Sequence, residues 1–297
     1  MLVREKLCVL CGLRPATRHG EHVLPKWYMR DRGPGPGPYP WTINGKPILD
    51  WRGRPIAPTE RVRVQLPTCS HDNATMNRRF EVPAKETLRR LFASRGAIAL
   101  APDELRPVAL WFLKTLLLLA RPEAQYQHPK IDPYAIRWDT DEVPHGYYEW
   151  LIDGQAPPPG VSLWMFRADE RRDDRPTPTY RVPLPTVDAD GSRIDFVCFQ
   201  MTFHGVQVTL VVHPGWDIRH PLENDNAAVR LWPGPPSSGV NLAALPVLPS
   251  NAVSWFRCRV TLRSGVLGNT QLPPLGHTPN LLAYLPTMAP FIESWGA

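Results

Sequence analysis

Cys8 and Cys11 form a C-x-x-C pair, the spacing at which two thiolates close on one tetrahedral zinc ion while two further ligands come from elsewhere in the chain. Cys69 supplies a third thiolate. Three residues after it stands Asp72 rather than a cysteine, with His71 beside it, so the expected zinc site is Cys3Asp or Cys3His. Both are zinc chemistries, because carboxylate oxygen and imidazole nitrogen bind the ion at about 2.0–2.2 Å. Between the two halves of this set lies Glu21-His22-Val23-Leu24-Pro25. An imidazole with a pKa of about 6.5 can take a proton from water near neutral pH, and a metal cation next to it stabilises the charge that develops when a phosphodiester is cut. Alone, a Glu-His pair reads as two surface residues at a strand turn. The C-x-x-C upstream and the proline downstream give this one a chemical reading.

The order C-x-x-C, E-H-V-x-P, C-x-x-x-N across roughly residues 1–83 resembles the zinc-containing branch of the HNH endonuclease family, in which a zinc knuckle clamps a small ββα-metal fold. The resemblance implies that His22 is the general base that activates water. It implies that Glu21 and Asn73 ligate a catalytic divalent cation, Mg2+ or Mn2+, and that zinc is structural. The chain departs from the family pattern at two places. Asp72 stands where the fourth zinc cysteine would be. The strand before Cys69, Val62-Arg63-Val64-Gln65-Leu66, lacks the asparagine that helps fix the base in other members.

These residues need elements to position them. Val62, Val64 and Leu66 alternate with Arg61, Arg63 and Gln65, the pattern of a half-buried strand with a basic outer face. After Cys69 a helix is expected up to Pro83, placing Asn73, Asn77 and Glu81 on one face at i, i+4 and i+8. Lys26, Arg63, Arg78 and Arg79 are the candidate phosphate contacts; ordinary surface charge explains each of them as well. A Gly/Pro-rich insertion at about 29–60, including Gly33-Pro34-Gly35-Pro36-Gly37-Pro38, separates the two halves, with a small hairpin around Asn44-Gly45. From Ala84 the period is helical: one helix up to Gly96, then a second capped near Asp103 and running through Trp111 to about Ala120. Its apolar run, Val108 to Ala120, holds Lys114 and is shorter than the ~20 residues of a bilayer crossing. It therefore reads as a buried support.

Beyond about residue 155 the period changes to two. Strands are expected at Val161–Arg167, Tyr180–Val187, Ile194–Phe203, Val206–His213 and Val253–Leu262, with a tight turn at His204-Gly205. His204, His213 and His220 read as solvated, turn-adjacent residues, and Cys198 and Cys258 as core residues. The chain is thus expected to be α+β: residues 1–83 as the zinc-knuckle module, 84–155 helical, and 156–297 an antiparallel β-rich accessory domain.

Charge and composition narrow the function. Residues 1–95 carry 18 Lys and Arg against 8 Asp and Glu, while the remainder carries 16 against 20. A basic front is what binding to DNA needs, although a solvated Arg-rich surface gives the same count. The 36 prolines are scattered rather than gathered in one tract, which favours many turns over disorder. Five cysteines, an odd number, and no secretory leader point to the cytoplasm. The leading expectation is a metal-dependent DNA endonuclease. The alternatives are a catalytically decayed zinc-stabilised module that binds nucleic acid or protein, and a small-molecule enzyme in the β region.

Overall fold

The computed structural model describes residues 6–31, 42–43, 46–47, 49–55, 63–121, 123–127, 143, 145–169, 180–183, 186–187, 193–194, 197–213, 218–224, 226–249 and 261–262. The Gly33–Pro38 tract, the Asn44-Gly45 turn, Cys258 and most of the strand expected at Val253–Leu262 lie outside these residues. The chain is α+β, with helices and antiparallel sheets. No helix among the described residues is long and apolar enough to cross a membrane.

Three short strands make the front sheet. They are β1 (Glu21–His22), β2 (Arg63–Leu66) and β3 (Gln125–Gln127), antiparallel in the order β1-β2-β3. Glu21 faces Leu66 across the ladder, and His22 faces Gln65. Because β2 is central, Gln65 is buried together with Val64 and Leu66, so the strand does not alternate between core and solvent as its sequence suggests. The turn into β1 needs a glycine. Gly20 has φ +51°, and a Cβ there would lie 2.0 Å from the Leu66 carbonyl oxygen.

After β2 comes one continuous helical rod made of α2 (Ser70–Met76), a π-helical turn (Asn77–Glu81) and α3 (Val82–Ala93). The rod passes Pro83 instead of ending there. Proline has no N–H for the carbonyl four residues back, and the wider turn just before it absorbs that gap, with the Val82 N–H reaching the Asn77 oxygen five residues back. The extra residue rotates the later part of the rod. Asn77 remains exposed while Glu81 turns inward, so Asn73, Asn77 and Glu81 do not share a face.

Helix α4 (Pro102–Leu119) starts one residue before the expected Asp103 cap; the Glu104 carboxylate accepts the Ala101 N–H at 3.0 Å. It is buried continuously from Trp111 to Leu119. Against it lies the large sheet of β4 (Val161–Asp169), β5 (Tyr180–Pro183), β6 (Val197–Phe203), β7 (Val206–Val212) and β8 (Val229–Trp232). Its antiparallel order is β8-β4-β7-β6-β5, and β9 (Val247–Pro249) runs parallel to β4. The β6–β7 turn is His204-Gly205, both with positive φ, the backbone of a two-residue type I′ hairpin. Phe203 and His204 at this turn pack on Tyr28, which lies in α1 (Lys26–Asp31), and on Phe92; Phe203 also packs on Trp111, with ring centroids 5.6–5.9 Å apart in these pairs. The buried side chains of the front sheet, the helices and the large sheet belong to one core.

Val161, Leu163 and Met165 of β4 face that core, and the opposite face carries Ser162, Trp164 and Phe166, also buried. There His213 and His220 are about 1 % exposed rather than solvated. The Ser162 hydroxyl lies 3.0 Å from His213 Nε2, and His220 Nδ1 accepts the Leu222 N–H at 3.2 Å while its ring packs on Phe166. Burial pushes both imidazoles down to about 4; the Arg230 charge adds to this at His213, and Glu223 opposes it at His220.

Folded protein therefore keeps both rings neutral between pH 6.5 and about 4, whereas the unfolded chain protonates them. The unfolded state binds more protons in that window, so stability is complete above about pH 6.5 and falls towards pH 4, by about 3 kcal/mol for each ring. His220→Asn, which retains an acceptor for the Leu222 N–H, is expected to remove one ring's share of the loss. Urea unfolding at pH 7.5 and 4.5 checks this, and equal losses in wild type and variant would contradict it.

Candidate functional site

The knuckle turn is closed at its base by a Leu7–Pro15 bridge, and inside it the Cys8 N–H bonds the Arg14 oxygen at 2.8 Å and the Gly12 N–H bonds the Cys8 oxygen at 2.8 Å. The Val9 N–H reaches the Pro67 oxygen at 2.9 Å, which places Cys8 and Cys11 over the end of β2. Cys69 caps α2. Its sulfur accepts the Asp72 N–H at 3.4 Å, in the place a serine oxygen usually takes. Residues three apart lie on one helix face, so Asp72 joins Cys69 while His71 is turned outward and exposed.

The ligating atoms of Cys8, Cys11, Cys69 and Asp72 lie within 4.8 Å of one another. A tetrahedron with bonds of about 2.3 Å has edges of roughly 3.8 Å, so the group could hold a metal ion with small adjustments. It is the one such set of His, Cys, Asp and Glu side chains among the described residues. Cys8 Sγ donates to Asp72 Oδ2 at 3.1 Å, and Arg14 Nη1 lies 3.5 Å from Asp72 Oδ1. Burial pushes the Cys8 thiol up to about 12. Burial also raises Asp72, but hydrogen bonds from Cys11, Cys8 and Cys69 and the Arg14 charge outweigh it and hold the carboxylate below its ordinary range. An entering cation must displace thiol protons and finds the carboxylate already ionised.

His22 is half-buried on β1, and its Nε2 lies 3.2 Å from Gln65 Nε2. The pairing follows from the register, which sets the two residues opposite each other. Gln65 thus holds one ring nitrogen and with it the plane of the imidazole. The sequence offered no asparagine on this strand, yet glutamine carries the same amide on a side chain one methylene longer.

Glu21 points the other way, as neighbours on a strand must. Its Oε1 accepts from Lys114 Nζ at 2.8 Å, and the same ammonium donates to Glu81 Oε1 at 2.7 Å. Glu81 Oε2 also accepts the indole N–H groups of Trp111 at 3.0 Å and Trp27 at 3.2 Å. Lys114 is fully buried. Burial lowers its pKa, but Glu21 and Glu81 outweigh that and hold it above the ordinary lysine value, so it stays charged. Two carboxylates share one ammonium, and Glu21 is the one without indole donors. Burial, with the Glu81 charge adding, raises its pKa against the pull of Lys114.

Both side chains expected to ligate a catalytic cation have hydrogen-bond partners within the protein. Glu21 is drawn to Lys114, and Asn73 Nδ2 donates to the Gly20 oxygen at 3.2 Å, tying α2 to the turn before β1. Of the candidate phosphate contacts, Arg79 is engaged elsewhere: its guanidinium donates to the Trp150 and Gln155 oxygens at 2.5 and 2.8 Å, fastening the π turn to α5 (Gly146–Asp153) and the residues after it. That makes it a structural clamp. Arg78 and Lys26 are exposed, and Arg63 lies on β2.

Lys114→Met leaves two buried carboxylates without a counter-charge and is expected to cost about 3–5 kcal/mol of unfolding free energy, read from chemical denaturation at pH 7.5. For the cysteine cluster, Asp72→Cys is expected to retain a bound metal and Asp72→Ala to lose it, with His71→Ala unchanged, as measured by elemental analysis of the purified protein. Release of metal by His71→Ala alone would contradict the assignment. No family model, no curated protein and no solved structure matches this chain.

Proposed function

We propose that residues 1–83 form a zinc-clamped, HNH-type ββα-metal module that binds DNA and hydrolyses its phosphodiester bonds, with His22 as the general base. The pairing of His22 with Gln65 carries this reading. A half-buried imidazole on the first strand is held by an amide on the second, and a Cys3Asp cluster joins the knuckle turn to the start of the following helix. Zinc suits that cluster because three thiolates and a carboxylate are ligands it takes in tetrahedral sites. In the reaction His22 removes a proton from the attacking water, while Lys26, Arg63 and Arg78 are the side chains assigned to neighbouring phosphates. Residues 84–155 complete the module's core, and the β-rich part serves as an accessory to it.

One observation favours a second reading, in which the module binds nucleic acid or protein and no longer cuts. The Glu21 carboxylate is committed to Lys114, so the Mg2+ or Mn2+ implied by the HNH resemblance lacks its acidic ligand unless that contact opens.

His22→Ala separates the two. For a nuclease, cleavage of duplex DNA in Mg2+ or Mn2+ buffer is expected to fall by about 10²–10⁴, the usual contribution of a general base, with DNA affinity and metal content unchanged. Wild-type protein that binds DNA with a steep salt dependence and never cuts it would establish the binding module. Protein that neither binds nor cuts would end the nucleic-acid reading.

A further inference from the structure

Beside His22 the knuckle turn and β2 enclose a cleft of about 240 Å³. Its wall carries Lys6, Thr17, Arg18, His19, Gly20 and Gln65, and among the described residues no acidic side chain lines it. Its frame is fixed by short contacts. The Thr17 N–H bonds the Thr68 oxygen at 2.9 Å, the Thr17 hydroxyl donates to the same oxygen at 3.3 Å, and the Gly20 N–H donates to the Thr17 hydroxyl oxygen at 3.0 Å. Gly20 sits so close to the Leu66 carbonyl that no side chain fits there, so the turn cannot withdraw from β2 without breaking this packing. The Lys6, Arg18 and His19 side chains are exposed at the rim. Lys6 and Arg18 add two positive charges there.

Gln65 belongs to both places: it lines the cleft and holds His22 Nε2. Whatever occupies the cleft therefore lies one side chain away from the proposed base. The volume falls below the roughly 300–1,000 Å³ of clefts that enclose drug-sized ligands, which suits a phosphate with its sugar rather than a whole coenzyme. The surrounding segment has the chain's excess of basic residues. We infer that this cleft seats a phosphate of the bound DNA strand next to the one presented to His22, with Lys6 and Arg18 as its charge partners. The inference rests on the DNA reading of the module and adds to it residues that the motifs did not single out.

The test pairs two probes on the full chain. In the first, binding of a short fluorescent duplex is followed by anisotropy across a salt series for wild type and for Lys6→Gln with Arg18→Gln. Both side chains are exposed, and unchanged circular dichroism and metal content show that the fold is kept. Losing the one seated phosphate is expected to lower the slope of log K against log salt by about 0.9. A variant slope equal to that of wild type overturns the inference while leaving the module a DNA binder. In the second, inorganic phosphate is titrated into 15N-labelled protein. If wild type binds no DNA, the reading of the module fails and the titration decides for the cleft alone. Shifts of the Thr17–Gly20 amides that vanish in the double variant sustain it, and shifts that are absent or identical in both proteins overturn it.

Discussion

A lysine ammonium with no access to solvent, held between Glu21 and Glu81, is the constraint on which the front of this protein depends. Removing such a group from water costs several kcal/mol, and one carboxylate about 4 Å away returns roughly 4 kcal/mol at an effective dielectric constant of about 20. A single pair would barely offset the burial of both charges. The second carboxylate and the indole N–H groups of Trp27 and Trp111 complete the set, so that Glu81 has three donors and Lys114 two acceptors. The network joins β1, the π turn and the middle of α4, which lie far apart in the chain. By drawing Glu21 inward it also decides that His22, its neighbour on the strand, faces Gln65.

The cysteine cluster governs the other end of the same strand pair. Cys8 and Cys11 must meet Cys69 and Asp72 across about sixty residues, a closure with an entropic cost that rises slowly with loop length. The knuckle is already fastened without a metal, through Val9 to Pro67 and Thr17 to Thr68. These contacts bring the four ligands within reach of one another, so a bound ion would lock a geometry the backbone has largely formed. Cys69 has two places here, as helix cap and as a member of the cluster. The start of α2 and the cluster therefore form together.

What could be read from the sequence was whatever depends on local spacing. C-x-x-C, Cys69 and the strand alternation beyond residue 155 are short-range patterns, and three thiolates do converge, inside an α+β chain. The choice between Asp72 and His71 needed the helix to begin at Ser70, which puts Asp72 on the side of Cys69. Lys114 stood in the sequence as a charge that argued against a membrane span; its role follows from Glu21, 93 residues earlier. Arg79 read as a phosphate contact or as surface charge because its partners, the Trp150 and Gln155 carbonyls, lie far along the chain. The π turn hid behind Pro83, which usually ends a helix. His213 and His220 read as solvated because the side chains beside them, Ser162 and Phe166, lie some fifty residues earlier in the chain.

The motif and the folding core have different extents. Tyr28 lies within the first 83 residues, but its ring neighbours include Phe92, Trp111, Phe203 and His204. Phe80 packs on Trp150, and both acidic members of the buried network lie before residue 83 while their ammonium lies after it. A chain cut after Pro83 would expose two carboxylates that the intact protein buries, and would remove the aromatic wall under α1. The contacts of the His22 strand thus reach, through Glu21, Lys114 and α4, to the sheet on which α4 lies. Anything that shifts α4 must stretch the Lys114–Glu21 contact or carry β1 with it, because β1 is held on its other side by the ladder to β2. In this way α4 links β1 to the large sheet.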